Sequence, residues 1–262
     1  MSGTLAPEVL VLGASGRVGA GIVAALLEAG SPVLAVGRDP QRLQALAEAH
    51  ADEPALQVLA GSVAGDRQAS ALARRIAGRE RPLRAVVDAV AAPRRSARLL
   101  DRPVAALRRS LDEDLLPHLA AARHLLPLLR GQSIDTRYVL VGGPHTRNGW
   151  AGYGHASVSI AASRMLAQVL HEEAQALGVR LQMLAVDAPV WAADNAARAC
   201  AGWHSALGVG RGVVSLLSSS SGAARGVVEF TPISTSGPAS LLACDYAPVL
   251  RAATGTSGSR CG

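Results

Sequence analysis

Short runs of consecutive apolar residues alternate along the chain with stretches in which apolar positions recur every three or four residues. The runs at 8–12, 32–37, 55–60, 83–90, 137–141, 179–186 and 225–230 predict strands. The fourth, 83–90, is near-continuously apolar, as in strands buried on both faces. Between the first two runs, Ile22, Val23, Leu26 and Leu27 share one helical face; Leu43, Leu46 and Ala47 do the same in a second helix at 41–51. Further helices are expected at 67–77, as two segments across 95–129, at 156–177, and ending with 213–217. This alternation specifies an α/β fold, a Rossmann-type doubly wound parallel sheet of about seven strands flanked by helices. Residues 1–230 are read as that one domain. From 231 to 262 Ser, Thr, Gly and Pro take over around one apolar segment at 241–250, which reads as a tail, partly disordered or an oligomer arm.

The first strand breaks into Gly13-Ala14-Ser15-Gly16-Arg17-Val18-Gly19 before a helix begins. A strand-to-helix turn that brings backbone against a pyrophosphate needs residues without side chains. The helix after it offers unpaired N–H groups to phosphate. The turn therefore reads as a dinucleotide site; the alternative is a structural glycine turn of another α/β fold.

Composition narrows the chemistry. All 26 basic residues are arginine. Without lysine, a GxxxxGK phosphate loop, a Schiff base and a tyrosine–lysine proton relay are all excluded. The net charge of +6 includes a crowd of arginines between Arg74 and Arg109, yet aromatic residues make up only 3% and no nucleic-acid motif occurs. A solvated basic face is expected, without specific nucleic-acid binding. No apolar stretch approaches the ~18 residues of a membrane span. Cys200, Cys244 and Cys261 lack metal-ligand spacing and are read as free thiols. A cytoplasmic protein with no metal, not associated with membrane, is the expectation.

The order of elements and the glycine turn resemble the short-chain dehydrogenase/reductase superfamily over residues 7–230. The resemblance implies an oxidoreductase and a nicotinamide cofactor held by Gly13, Ser15, Gly16, Arg17, Val18 and Gly19. Ser62-Val63 stands where the family usually has Asp-Val or Asp-Leu after strand three, and Ala89 ends strand four. A carboxylate ending strand two would accept from ribose hydroxyls, whereas an arginine there pairs with a 2′-phosphate. Gly37-Arg38 ends that strand, and Arg17 lies in the turn, so the resemblance implies NADP(H).

The catalytic half departs from the family. Placing Gly142-Gly143 on the serines that end strand five and counting without gaps puts Ala156 on the family's tyrosine and Ile160 on its lysine. The same count carries Gly178-Val179-Arg180 onto the family's Gly-Ile-Arg junction, and Asp114 takes the place of its asparagine. A second register begins at Tyr153 and puts Ser157 on the lysine. Asp88, His145, Tyr153, His155 and Asp187 remain as polar groups near the strand ends, with Asp114, Tyr153 and His155 the candidate catalytic residues. His118, His124 and His171 are read as surface or packed histidines. Trp150, Trp191 and Trp203 suggest an apolar small-molecule pocket.

Two readings stay open. One is an NADP(H)-binding enzyme for a small apolar substrate with an atypical site, either redox or a cyclase, isomerase or dehydratase. The other is an inactive subunit that pairs with an active homologue, or an NADP sensor. The resemblance implies a homodimer or homotetramer through the two long helices after strands four and five, where Ala161, Ala162 and Ser163 would permit close approach.

Overall fold

The computed structural model describes residues 6–93, 96–131, 135–144, 148–219 and 225–232. In chain order the elements are β1 Glu8–Leu12, α1 Arg17–Glu28, β2 Val33–Gly37, α2 Pro40–Glu48, β3 Leu56–Ala60, α3 Asp66–Ala77, β4 Leu83–Asp88, α4 Val104–Asp114, α5 Leu116–Leu129, β5 Arg137–Gly142 and α6 Gly154–Gln175. They continue as β6 Arg180–Ala185, β7 Val190–Trp191, β8 His204–Ser205, α7 Ala206–Ser218 and β9 Val227–Glu229. One sheet has the order β3-β2-β1-β4-β5-β6-β9, and β7 and β8 form a separate pair. Every pairing in the large sheet is parallel. The expected seven-stranded, doubly wound sheet is therefore what the chain forms.

The apolar runs of the central strands are explained by two cores. Leu10 and Leu12 of β1 pack in one with α3, α5 and α6, while Val9 and Val11 pack in the other with α1, α2 and α7. Successive side chains of a strand point to opposite faces, so a strand covered on both sides is apolar at every position. On the second face α1 and α7 meet along a glycine seam. A Cβ on Gly210 would collide with the Gly21 carbonyl, and one on Gly21 with the Ala206 backbone.

Chain order reverses between β1 and β4: from β1 the sheet grows one way to β2 and β3, and the other way to β4, β5 and β6. At such a point the loops leaving neighbouring strands diverge and open a crevice beyond the strand carboxyl ends.

Several expectations need correction. The fourth apolar run extends to Val90, but pairing stops at Asp88, whose carboxylate accepts the Val90 N–H at 3.2 Å and turns the chain out of the sheet. The helical reading of 95–129 begins too early; a 3-10 turn at Leu99–Asp101 precedes α4. Ser163 is buried, so it cannot supply a close helix contact to a partner. Cys200 is disulfide-bonded rather than a free thiol, which removes the cysteine argument for a reducing compartment. Cys244, Cys261, His145 and most of the proposed tail, including 241–250, lie outside the described residues. Among the described residues no helix is long and apolar enough to cross a membrane.

Candidate active site

A cleft of about 1290 Å³ opens at the β1/β4 switch point. One end is the glycine turn. Gly13 has φ +70°, and a Cβ there would lie 2.6 Å from the Ala89 carbonyl oxygen, so the turn is pressed against the end of β4. Gly16 caps α1 without a side-chain hydrogen bond, and the first turn of α1 carries no acidic residue. The leading N–H groups of α1 are thus left for an anion. Gly13, Ser15, Gly16, Arg17, Val18, Arg38, Ser62, Val63 and Ala89 all line the cleft. Gly19 does not; a Cβ on it would strike the Gly13 carbonyl, so its part is to seat α1 against the turn.

Electrostatics at the rim differ from expectation. Arg17 does not stand open beside Arg38, because its guanidinium forms two hydrogen bonds, of 3.1 and 2.8 Å, to the carboxylate of Asp194. That hydrogen bond, opposed by some burial and aided by the Asp194 charge, raises the Arg17 pKa; the same bond holds the Asp194 carboxyl below its usual range. The second guanidinium at this end is Arg42, which the sequence reading missed. It lines the cleft and donates to the Ser15 carbonyl at 2.6 Å. The signal was present in Asp39-Pro40, since an N-cap aspartate and a proline at the first helical position fix where α2 starts. Asp39 accepts from the N–H groups of Gln41 and Arg42. The carboxylate beside Arg38 thus caps α2 through Oδ1 while also lining the cleft.

At the other end Asp114, Gly142, Gly143, His155 and Ala156 line the cleft. Asp114 is half-buried at the end of α4; it accepts the Ala92 N–H at 3.1 Å and the Ser159 hydroxyl at 3.2 Å. Tyr153 is not among the lining residues. Gly152 has φ +89° and accepts from the Ala97 N–H and the Ser96 hydroxyl, and a parallel bridge ties Ala97 to Tyr153, so the residue is held at the mouth against 96–97. Asp187 is exposed and Trp150 lies at the surface, so of the three tryptophans Trp203 is the one that reaches the cleft.

Below this end lies a polar cluster the sequence reading did not assemble. Asp88 is fully buried; its Oδ2 lies 2.8 Å from His118 Nδ1 and 3.2 Å from the Tyr138 hydroxyl. Burial pulls the His118 pKa down, but the Asp88 charge, its hydrogen bond and the Asp114 charge outweigh it and leave the pKa raised. Burial and the Asp88 carboxylate push Tyr138 well up, so it remains a neutral donor. His124, by contrast, pairs with Asp66 on the surface side, and His171 is buried against the Leu181 carbonyl. No group of metal-ligating side chains occurs among the described residues.

A crevice at the switch point, a glycine turn pressed on β4 and an uncapped α1 define a dinucleotide-binding α/β domain. Residues 7–193 match the sequence profile of the short chain dehydrogenase family, and the chain belongs to that family of NAD(P)(H)-using oxidoreductases. Solved structures agree in fold. An NADPH-bound short chain oxidoreductase from Pseudomonas aeruginosa PAO1, described as containing an atypical catalytic center, superposes with a TM-score of 0.75 at 20% identity, covering 86% of this chain and 96% of its own. A short-chain type dehydrogenase/reductase from Mycobacterium ulcerans gives 0.72 at 19% identity, covering 86% and 88%. A putative gluconate dehydrogenase from Agrobacterium tumefaciens gives 0.72 at 17% identity, covering 87% and 95%. No protein of curated function matches the chain in sequence.

Proposed function

We propose that the protein is an NADP(H)-dependent oxidoreductase that acts on a small apolar carbonyl or alcohol through an atypical site. The observation that carries this reading is the single cleft joining the glycine turn and Arg38 to Asp114 and His155. When bound, the cofactor supplies or accepts hydride. The α1 N-terminus receives its pyrophosphate and Arg38 its 2′-phosphate, with Arg42 supporting the turn between them. The chain has no lysine, so proton transfer to a substrate oxygen falls to groups other than a tyrosine–lysine pair. Asp114 is the leading candidate, because it lies on the cleft wall and its carboxylate is oriented by the Ala92 N–H and Ser159. His155 is next. Tyr153 ranks below both because of its position at the mouth, and Ala156 and Ile160 take the family's tyrosine and lysine positions.

The reading also includes a homodimer or homotetramer, formed through Leu116 and Leu119 of α5 and Val158, Met165 and Val169 of α6, all large apolar residues left exposed. The test is a fluorescence titration with NADPH and NADH, followed by NADPH oxidation over a panel of small ketones. Tight NADPH binding with slow turnover that falls about 10²–10⁴-fold in Asp114→Asn is expected. Failure to bind either nucleotide refutes the reading; turnover unaffected by Asp114→Asn removes Asp114 from it.

A further inference from the structure

Three donors converge on the buried Asp88 carboxylate: Val90 N–H on Oδ1, and His118 Nδ1 and the Tyr138 hydroxyl on Oδ2. A carboxylate withdrawn from water persists when its lone pairs are filled and a countercharge is close. His118 is that countercharge. With Nδ1 committed to Asp88, any proton that His118 exchanges passes through Nε2.

His118 is also on the wall of a small cavity of about 30 Å³, together with Asp114, Gly143, Ile160 and Ser163. That volume admits one water, and the walls offer polar partners for it. Asp114 lines both this cavity and the cleft, as do Val90, Ala91, Val141, Gly142 and Gly143, and it is the one ionisable side chain among these shared residues.

Building on the oxidoreductase reading above, we propose that His118, positioned by Asp88, is a proton-relay residue that protonates Asp114 through this cavity. The steps balance in protons and charge. The relay begins with Asp114 as the anionic neighbour of the His118 imidazolium. The Nε2–H bond of the imidazolium breaks; one cavity water takes that proton and gives one to Asp114, whose new O–H bond breaks in turn as the proton passes to the substrate oxygen, leaving Asp114 a carboxylate again. His118 is left neutral, the water is regenerated, and Asp88 stays a carboxylate. Solvent restores the lost proton by the reverse route when the cleft is open.

The ionisable groups facing His118 are Asp88 from β4, Asp114 from α4 and Tyr138 from β5. From α6, Ile160 and Ser163 share the cavity wall, and from β6 Met183 does, none of them ionisable near neutrality. The raised His118 pKa fits a relay that is charged at rest, and the neutral Tyr138 does not compete for its proton.

The experiment is nitrogen NMR of the full chain labelled at histidine, with and without saturating NADPH. His118 is expected to carry its proton on Nδ1 when neutral. Asp114→Asn should weaken its proton affinity by about threefold or more, because an anionic neighbour is lost. Ser163→Val, which fills the cavity from the α6 side, should slow exchange of the Nε2 proton about tenfold by excluding the water. Ile160→Met is a second filling variant should Ser163→Val unfold. If a ketone is turned over, a limb of the kcat–pH profile should track the His118 midpoint, and Ser163→Val should lower kcat with KM unchanged. An affinity unmoved by Asp114→Asn, or exchange unmoved by both filling variants, overturns the relay. The expected NMR behaviour without any ketone turnover overturns the oxidoreductase reading while leaving the relay standing.

Discussion

Arg38→Ala is expected to weaken NADPH binding while leaving NADH binding unchanged. Arg38 directly follows β2, is exposed, and lines the cleft. Its neighbour Asp39 also lines the cleft, with Oδ1 held by two backbone donors of α2 whose helix N-terminus offsets part of its charge. A hydrogen bond to a charged group contributes about 1.5–3 kcal/mol. The lower part of that range applies here, because the side chain sits on an open rim where solvent and salt screen it. At 1.4 kcal/mol for each tenfold, 1.5–2 kcal/mol corresponds to roughly a 10- to 30-fold rise in Kd. Arg42→Ala should weaken both nucleotides together, since its 2.6 Å bond to the Ser15 carbonyl supports the turn they share. The assay is paired titration of NADPH and NADH at low and high ionic strength, with the Arg38 effect shrinking as salt rises. An unchanged NADPH affinity in Arg38→Ala, or equal losses for the two nucleotides, would refute the assignment.

Stability should fall with pH through the His118 titration. The folded pKa of this histidine is raised, so its contribution is complete below the ordinary value of 6.5 and is lost as pH rises through the folded value. Urea denaturation of the wild type and His118→Gln between pH 5.5 and about 9 should show the wild type losing its advantage toward high pH, whereas a constant difference would contradict the charged pair. Gly13→Ala and Gly30→Ala separate backbone strain from collision, since both residues have φ near +70° but only Gly13 has a close neighbour, the Ala89 carbonyl. Gly30→Ala should destabilise by about 1–2 kcal/mol and leave nucleotide binding intact, whereas Gly13→Ala should exceed that loss and also impair binding; equal effects would argue against a pressed turn.

The fold was legible because its central strands are buried on both sides, whereas β3 at the sheet edge is largely exposed. A continuous apolar run such as Val9 to Leu12 carries its own boundaries, and β1 spans the residues the run predicts. The same signal overran at β4, where apolar character continues through Ala89 and Val90 but a buried aspartate ends the pairing. Local chemistry was legible as well: the glycine turn reaches the cleft because strand, turn and helix are contiguous. The partners that remained hidden are distant in sequence. Nothing near Asp194 marks it as the partner of Arg17, and Asp88, His118 and Tyr138 lie on three different elements. One cue was available, since Asp114 and His118 are spaced as on one helical turn. The chain restarts its helix between them, with α4 ending at Asp114 and α5 beginning at Leu116.

The glycine seam between α1 and α7 bears on how this scaffold accommodates new ligands. Gly21 and Gly210 bring the two helix backbones together so closely that neither position can accept a side chain. α7 directly follows β8, and α1 directly follows the glycine turn, so the seam anchors the far end of the 187–205 segment to the helix that leaves the turn. Residues within that segment, Trp203 and Asn195 among them, line the cleft yet belong to neither helix. Sequence drift in the segment away from Asp194, the partner of Arg17, can therefore reshape what the cleft admits while the glycine turn stays in register, whereas any side chain added at position 21 or 210 would prise apart the floor on which both depend.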